Sequence, residues 1–202
     1  MMNPKRVLII HGWGNRRPFG HWHRYLANAL RSQGHVVAYP QLPNTDFPVF
    51  EEWLEVLKTE LDMLGEVNTN ELVIIGHSLG CLTWIKLALH GLAPKDVSRV
   101  LLVAPADPTL CGEVPSFVMD LADPNVKSAV KGAAKVTLFI AGDDDHEWTP
   151  RGLAETFGKP LDLPCVVIPG AGHMTVEQSP SWGHWQGVID WVNDPTASLL
   201  KK

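Results

Sequence analysis

A serine between two glycines is the feature of this sequence that best suits chemistry. Gly76-His77-Ser78-Leu79-Gly80 matches the pattern G-x-S-x-G. The pattern directly follows an apolar run that ends at Ile75 and directly precedes a stretch with helical spacing. A serine at such a sharp strand-to-helix turn exposes its hydroxyl at the sheet edge, and the helix N-terminus favours developing negative charge. We therefore predict Ser78 as a nucleophile.

A serine hydroxyl attacks only when a base removes its proton, and in this type of site the order along the chain is serine, acid, histidine. His173 follows the last apolar run of the sequence, and glycines at positions 170 and 172 give a tight loop that can carry its imidazole back towards Ser78. We predict His173 as the base. His77, beside the nucleophile, is expected to point away from it and to pack in the interior.

The acid should follow the preceding strand, where three carboxylates compete at Asp143, Asp144 and Asp145. The usual loop places the acid three residues after a glycine and shortly before a hydrophobic residue and a proline, which selects Asp145. Asp144 is the first alternative, and the choice among the three stays open. A cation site on the unused aspartates is not predicted, because such sites draw oxygen ligands from more separated positions.

Acyl transfer also needs backbone donors for the oxyanion of its tetrahedral intermediate. One such donor normally comes from the residue after the nucleophile, here Leu79. The second is predicted at Trp13, because the glycines of His11-Gly12-Trp13-Gly14 let the chain approach the site closely. The side chains of Trp13 and Trp148 are candidates for the walls of an apolar acyl pocket.

The elements that must position these groups alternate along the chain. Six apolar runs suit buried strands: 7–10, 36–38, 72–75, 100–103, 136–140 and 166–168. Stretches with helical spacing lie at 21–32, 50–64, 79–90, 151–157 and 182–192. Because the strand runs are apolar throughout, helices should cover both sheet faces. The pattern predicts an α/β fold, doubly wound, with a mostly parallel six-stranded sheet and no large cap.

The chain of 202 residues has the size of one domain, and we expect a single domain over 1–202 because no linker interrupts it. The longest connection, 104–131, contains four prolines. It could partly cover a site over 105–131, or it could be a surface excursion with short helices.

Composition narrows the choice of partner. The net charge is -5 and no basic run is present, which argues against nucleic acid. The first apolar run is too short for a signal peptide or a membrane span. Three cysteines without a C-x-x-C pair favour buried thiols and a reducing, cytoplasmic setting. No cofactor is indicated, and Cys81 is noted for its position three residues after Ser78.

Taken together, these motifs resemble a known family. His-Gly-Trp-Gly at 11–14, His21-Trp22, Pro40-x-x-Pro43, Gly-His-Ser-Leu-Gly at 76–80, the aspartate run and Gly172-His173 are similar to the small serine hydrolases related to retinoblastoma-binding protein 9, within the α/β-hydrolase superfamily. The resemblance implies a compact hydrolase with Ser78, Asp145 and His173 as its triad. It departs at His146, where Asp-Pro is common in the group.

The residues therefore predict a serine hydrolase that cleaves a small carboxylic ester through an acyl-enzyme, with thioester or amide cleavage open. The partner is then a small acyl substrate. The alternative is a protein that keeps this fold and acts mainly by binding a protein partner, with the proline-rich 105–124 segment or the tryptophan-rich end as its contact.

Overall fold

Six parallel strands form one sheet in the computed structural model, which describes residues 3–67, 70–175 and 180–201. The strands are β1 Arg6–Ile10, β2 Val36–Ala38, β3 Leu72–His77, β4 Val97–Val103, β5 Val136–Gly142 and β6 Cys165–Ile168. Their order in the sheet is β2-β1-β3-β4-β5-β6, and every neighbouring pair is parallel. The predicted six-stranded parallel sheet is confirmed.

The described helices alternate with these strands. They are α1 Trp22–Ser32, α2 Phe50–Val67, α3 Leu79–Leu89, α4 Pro124–Gly132, α5 Lys159–Leu161 and α6 Gln186–Asn193. A π-helical turn, Ala154–Gly158, leads into α5, so the helix expected at 151–157 begins and ends later. The helix expected at 182–192 is divided into a 3-10 turn, Pro180–Gly183, and α6.

Both faces of the sheet are covered, and neighbouring strand residues enter different cores. In β3, Leu72 and Ile74 pack on the side of α2, α3 and α4, whereas Val73 and Ile75 pack on the side of α1 and α6. All four side chains are buried. A strand between two helical layers gains by burying every apolar side chain, at about 2 kcal/mol each. This gain explains why the strand sequences do not alternate, and it confirms the doubly wound prediction.

The long connection after β4 is partly helical. It contains two 3-10 turns, Pro108–Leu110 and Pro115–Phe117, and then α4. Asp123 caps α4 by accepting a hydrogen bond from the Asn125 N–H at 2.8 Å. In the part of the chain that the structure describes, none of the helices has the length and apolar character that a membrane crossing requires.

The start of α3 lies directly on the end of β1. A Cβ added to Gly80 would stand 2.3 Å from the carbonyl oxygen of Ile10 and 2.8 Å from that of His11. Both oxygens belong to the backbone, so neither can turn aside. Only glycine at position 80 lets the helix that follows Ser78 come this close to the neighbouring strand.

We predict that Gly80→Ala will lower the free energy of unfolding by about 3 kcal/mol, because the new methyl group must push the backbone of β1 away from α3. Urea denaturation at pH 7.5 measures the change. Gly65→Ala is the matched control, since it is also a helical glycine and a Cβ there meets no atom within 4 Å. The control should be stable or slightly stabilised, and an equally mild effect at position 80 would contradict the close approach.

Candidate active site

Ser78 lies at the turn between β3 and α3 in a conformation that few residues with a side chain adopt. Its φ is +54° and its ψ is -124°. Such a conformation costs of order 1–3 kcal/mol and persists only where the surroundings impose it. Here the Ser78 N–H donates to the carbonyl of Val103 in β4 at 2.9 Å. The hydroxyl is thereby directed away from the sheet, towards the loop that follows β6.

A continuous hydrogen-bonded chain joins Ser78, His173 and Asp145. The Oγ of Ser78 lies 2.8 Å from Nε2 of His173, and Nδ1 of His173 lies 2.7 Å from Oδ2 of Asp145. The three residues are only 8%, 6% and 4% exposed, in the order serine, histidine, aspartate. Because a carboxylate only accepts, we assign the proton to Nδ1, which leaves Nε2 free to accept from the hydroxyl.

The other two aspartates bind the backbone of the loop that carries the imidazole. Oδ1 of Asp143 accepts from the Gly170 N–H at 2.8 Å, and Oδ1 of Asp144 accepts from the Gly172 N–H at 2.7 Å. All three carboxylates thus contact the same loop, but only Asp145 reaches the ring of His173. Among the described residues, no group of three or more His, Cys, Asp or Glu side chains is arranged to hold a metal ion.

His77 contributes a contact that sequence reasoning missed. Its side chain is buried away from the Ser78 hydroxyl, as expected, but its Nε2–H donates to the backbone carbonyl of His173 at 2.9 Å. The pKa of His77 is held well below its usual range, chiefly by burial. A neutral His77 therefore ties the histidine loop to the end of β3 without placing a charge behind it. The G-H-S pattern alone does not reveal this bond.

His11 organises the loop after β1. Its Nε2 accepts from the Leu42 N–H at 2.9 Å, and its Nδ1–H donates to the Gly12 carbonyl at 2.9 Å. Burial lowers the pKa of His11 to about 4. A further bond holds the same loop, because the Trp13 Nε1–H donates to the Asp46 carbonyl at 2.9 Å. The loop is therefore fixed in place beside Ser78.

The two residues predicted to donate to the oxyanion, Trp13 and Leu79, each follow one member of a close contact between Gly12 and Ser78. A Cβ on Gly12 would come within 2.7 Å of the Cβ of Ser78, so the backbone that leads into Trp13 touches the serine. Within residues 3–67, 70–175 and 180–201, neither the Trp13 N–H nor the Leu79 N–H donates a hydrogen bond. Both groups are thus available to a ligand.

A cleft of about 330 Å³ opens over the serine. The Trp148 ring lies between the ring of Trp13, at 6.2 Å between centroids, and the ring of His173, at 5.6 Å. Glu113 brings the long connection after β4 to the cleft wall. The cleft is lined by Gly12, Trp13, Gly14, Asn15, His77, Ser78, Glu113, Trp148, His173 and Thr175.

Cys81 does not join the site. Its thiol is buried and donates to the carbonyl of Val103 at 3.3 Å. Burial raises the pKa of this thiol well above its usual range. The thiolate that a nucleophilic cysteine requires is therefore suppressed.

The family model of serine hydrolases matches residues 7–194, which is nearly the whole chain. The chain belongs to the serine hydrolase family. No curated protein sequence matches it.

Solved structures share the fold of this serine hydrolase. The ydeN gene product of B. subtilis is 23% identical, with a TM-score of 0.73 over 93% of this chain and 96% of that one. A putative yden-like hydrolase from Pectobacterium atrosepticum is 20% identical, with a TM-score of 0.69 over 95% and 90%. A monoacylglycerol lipase from Paleococcus ferrophilus is 20% identical, with a TM-score of 0.60 over 95% of both chains. At this identity the likeness concerns the fold.

The buried histidines make the stability of this hydrolase depend on pH. The unfolded chain binds a proton at His11 near pH 6.5, whereas the folded chain does so only near pH 4. The stability that depends on a neutral His11 is therefore complete above about pH 6.5 and is lost as the pH falls towards 4. At pH 5 this one group should cost about 2 kcal/mol of unfolding free energy.

Urea denaturation at pH 7.5 and pH 5 measures this loss in the wild type, in His11→Gln and in His184→Gln. We expect His11→Gln to shrink the difference between the two pH values by about 2 kcal/mol, because glutamine has no proton to bind. His184 is exposed, so its variant should keep the wild-type difference. An unchanged difference in His11→Gln would show that this histidine is not held neutral.

Proposed function

We propose that the protein hydrolyses a small carboxylic ester, with Ser78 as nucleophile, His173 as general base and Asp145 as its orienting acid. The observation that carries this proposal is the unbroken hydrogen-bonded chain from the Ser78 hydroxyl through the imidazole to the buried carboxylate. Family membership supports the same chemistry.

In the first half of the reaction, Nε2 of His173 takes the hydroxyl proton as the Ser78 oxygen attacks the ester carbonyl. The tetrahedral intermediate collapses, the imidazolium gives its proton to the departing alcohol oxygen, and an acyl-enzyme remains. In the second half, His173 takes a proton from water as the water oxygen attacks the acyl carbon. The second tetrahedral intermediate collapses, the bond to the Ser78 oxygen breaks, the imidazolium returns its proton to that oxygen, and the carboxylic acid leaves. Asp145 stabilises the imidazolium in both halves.

The oxyanion of each intermediate is proposed to bind the N–H groups of Trp13 and Leu79. Both donors flank the serine and are available among the described groups. One such donor is typically worth a factor of about 10² to 10³ in kcat. The bonds that fix the Trp13 loop would then keep its N–H in place before the substrate arrives.

The cleft supports a short acyl group. Its volume of about 330 Å³ and the two tryptophan rings favour a compact apolar group over a long chain. Thioesters and amides are attacked by the same apparatus and remain candidate substrates. The resemblance to the small hydrolases related to retinoblastoma-binding protein 9 also favours a small substrate, because it implies a hydrolase without a large lid.

A fluorophosphonate probe tests the nucleophile, because it modifies only a serine activated by its base. We expect one adduct on the wild type and none on Ser78→Ala, measured as intact masses by mass spectrometry. Circular dichroism should show that both proteins are folded. No adduct on folded wild type would overturn the proposal and favour the alternative of a hydrolase fold that acts by binding a protein partner.

The aspartate run gives a sharper test of the acid. Asp145→Asn should lower kcat for 4-nitrophenyl acetate by about 10³ to 10⁴, because an amide stabilises the wrong tautomer of His173 and no imidazolium. Asp143→Asn and Asp144→Asn are matched controls with the same loss of charge. Their amide oxygens can still accept the backbone N–H bonds, so their kcat should stay within about tenfold. A collapse of kcat in Asp144→Asn alone would reassign the acid.

A further inference from the structure

A second cleft, of about 360 Å³, carries four arginines. One wall is a face of α1, where residues 24, 27, 28 and 31 recur at helical spacing. The other walls come from the loop after β1 and from the end of β2. We call this surface the arginine cleft; it is lined by Arg16, Arg17, Arg24, Ala27, Asn28, Arg31 and Tyr39.

Most of its charge is uncompensated. Arg16 pairs with Asp46. Arg17, Arg24 and Arg31 pair with no carboxylate in the described part of the chain, although the protein has 22 acidic residues against 17 basic ones. Three positive charges therefore face one concave surface of an acidic protein. Charge of one sign on a concave surface attracts a ligand of the opposite sign.

Neutral backbone groups hold these arginines in place. Nη1 of Arg17 donates to the Tyr39 carbonyl at 2.8 Å, and Nη2 of Arg31 donates to the Val37 carbonyl at 2.9 Å. Nη1 of Arg24 donates to the Arg17 carbonyl at 3.5 Å. A guanidinium has five N–H donors, so each keeps free donors as well as its full charge. The forks of Arg17 and Arg31 are thus oriented before a ligand binds.

Protection of the sheet edge explains part of this arrangement. β2 pairs only with β1 among the described strands, and the Val37 and Tyr39 carbonyls lie at its open side. Covering such an edge prevents pairing with another chain. This role explains the anchors of Arg17 and Arg31, but Arg24 contacts no carbonyl of β2. Arg17 is also held at a φ of +52°, a strained conformation of the kind that clusters at ligand clamps.

We propose that the arginine cleft binds a multiply charged phosphate group. A single carboxylate would leave most of the charge unmatched, whereas a diphosphate offers several charged oxygens to forks that pair with phosphate in a bidentate manner. The cleft is large enough for such a group. The amide of Asn28 supplies a further donor on the same helical face.

The arginine cleft adjoins the Ser78 cleft along the chain. Asn15 lines the cleft of the serine, and Arg16, the next residue, lines the arginine cleft. Consecutive Cα atoms are about 3.8 Å apart. Two sources of the phosphate group are then to be distinguished: the acyl substrate itself, or a separate small molecule.

Isothermal titration with inorganic pyrophosphate tests the site without any reaction. We expect wild type to bind, Arg24→Gln/Arg31→Gln to bind at least tenfold more weakly, and Lys58→Gln/Lys95→Gln to bind as wild type does. The control removes the same charge from exposed side chains elsewhere. The single variant Arg24→Gln replaces the double variant if the latter does not fold. No binding to wild type, or an equal loss in the lysine control, would overturn the proposal.

Hydrolysis distinguishes the two sources of the phosphate, and only this second arm rests on the proposed function. Acetyl-coenzyme A carries phosphates, whereas S-acetyl-N-acetylcysteamine offers the same thioester without them. If the phosphate belongs to the substrate, kcat/KM in Arg24→Gln/Arg31→Gln should fall at least tenfold for the former only. If it belongs to a separate ligand, the ratio of the two kcat/KM values should match wild type while pyrophosphate binding is still lost.

Discussion

The strained backbone of Ser78 is the constraint on which the rest of the site depends. A residue with a side chain at φ +54° needs its neighbours to hold it, and they do so from both sides. The carbonyl of Val103 in β4 binds its N–H, and the contact between Gly80 and the end of β1 fixes the helix that follows. Burial of the central strands on both faces stabilises this crowding. The same close approach puts the oxyanion candidates beside the hydroxyl.

Three histidines with different roles surround Ser78. His11 and His77 are buried, and burial lowers the pKa of each. His11 binds the backbone of Gly12 and Leu42, and the Nε2–H of His77 donates to the carbonyl of His173. Both are neutral and hold loop backbone in place beside the serine. His173, by contrast, is joined to a carboxylate that can stabilise its protonated form. Residue type alone does not separate these roles, because each of the three is a histidine at the end of a strand or in the loop that follows one.

The sequence predicted what depends on local pattern. Apolar runs marked all six strands, and G-x-S-x-G located the strand-to-helix turn, because both signals lie within a few residues. Contacts between distant segments were not predictable in this way. The bond from His77 to the His173 carbonyl spans 96 residues, and the arginine cleft joins two loops and a helix. α4 lies in the 104–131 connection, where the sequence left short helices open without placing one, although Asp123-Pro124 is a good helix start.

The loop after β1 connects the two clefts, and its position has a physical consequence. Trp13 faces the serine while Arg17, four residues later, holds the edge strand through the Tyr39 carbonyl. His11 ties the start of the same loop to Leu42, so the segment is fixed at both ends. An anion in the arginine cleft would contact Arg16 and Arg17, which lie in the same loop as Trp13, the proposed oxyanion donor. Charge recognition and acyl chemistry would then share one rigid loop, and a change to its anchors would alter both.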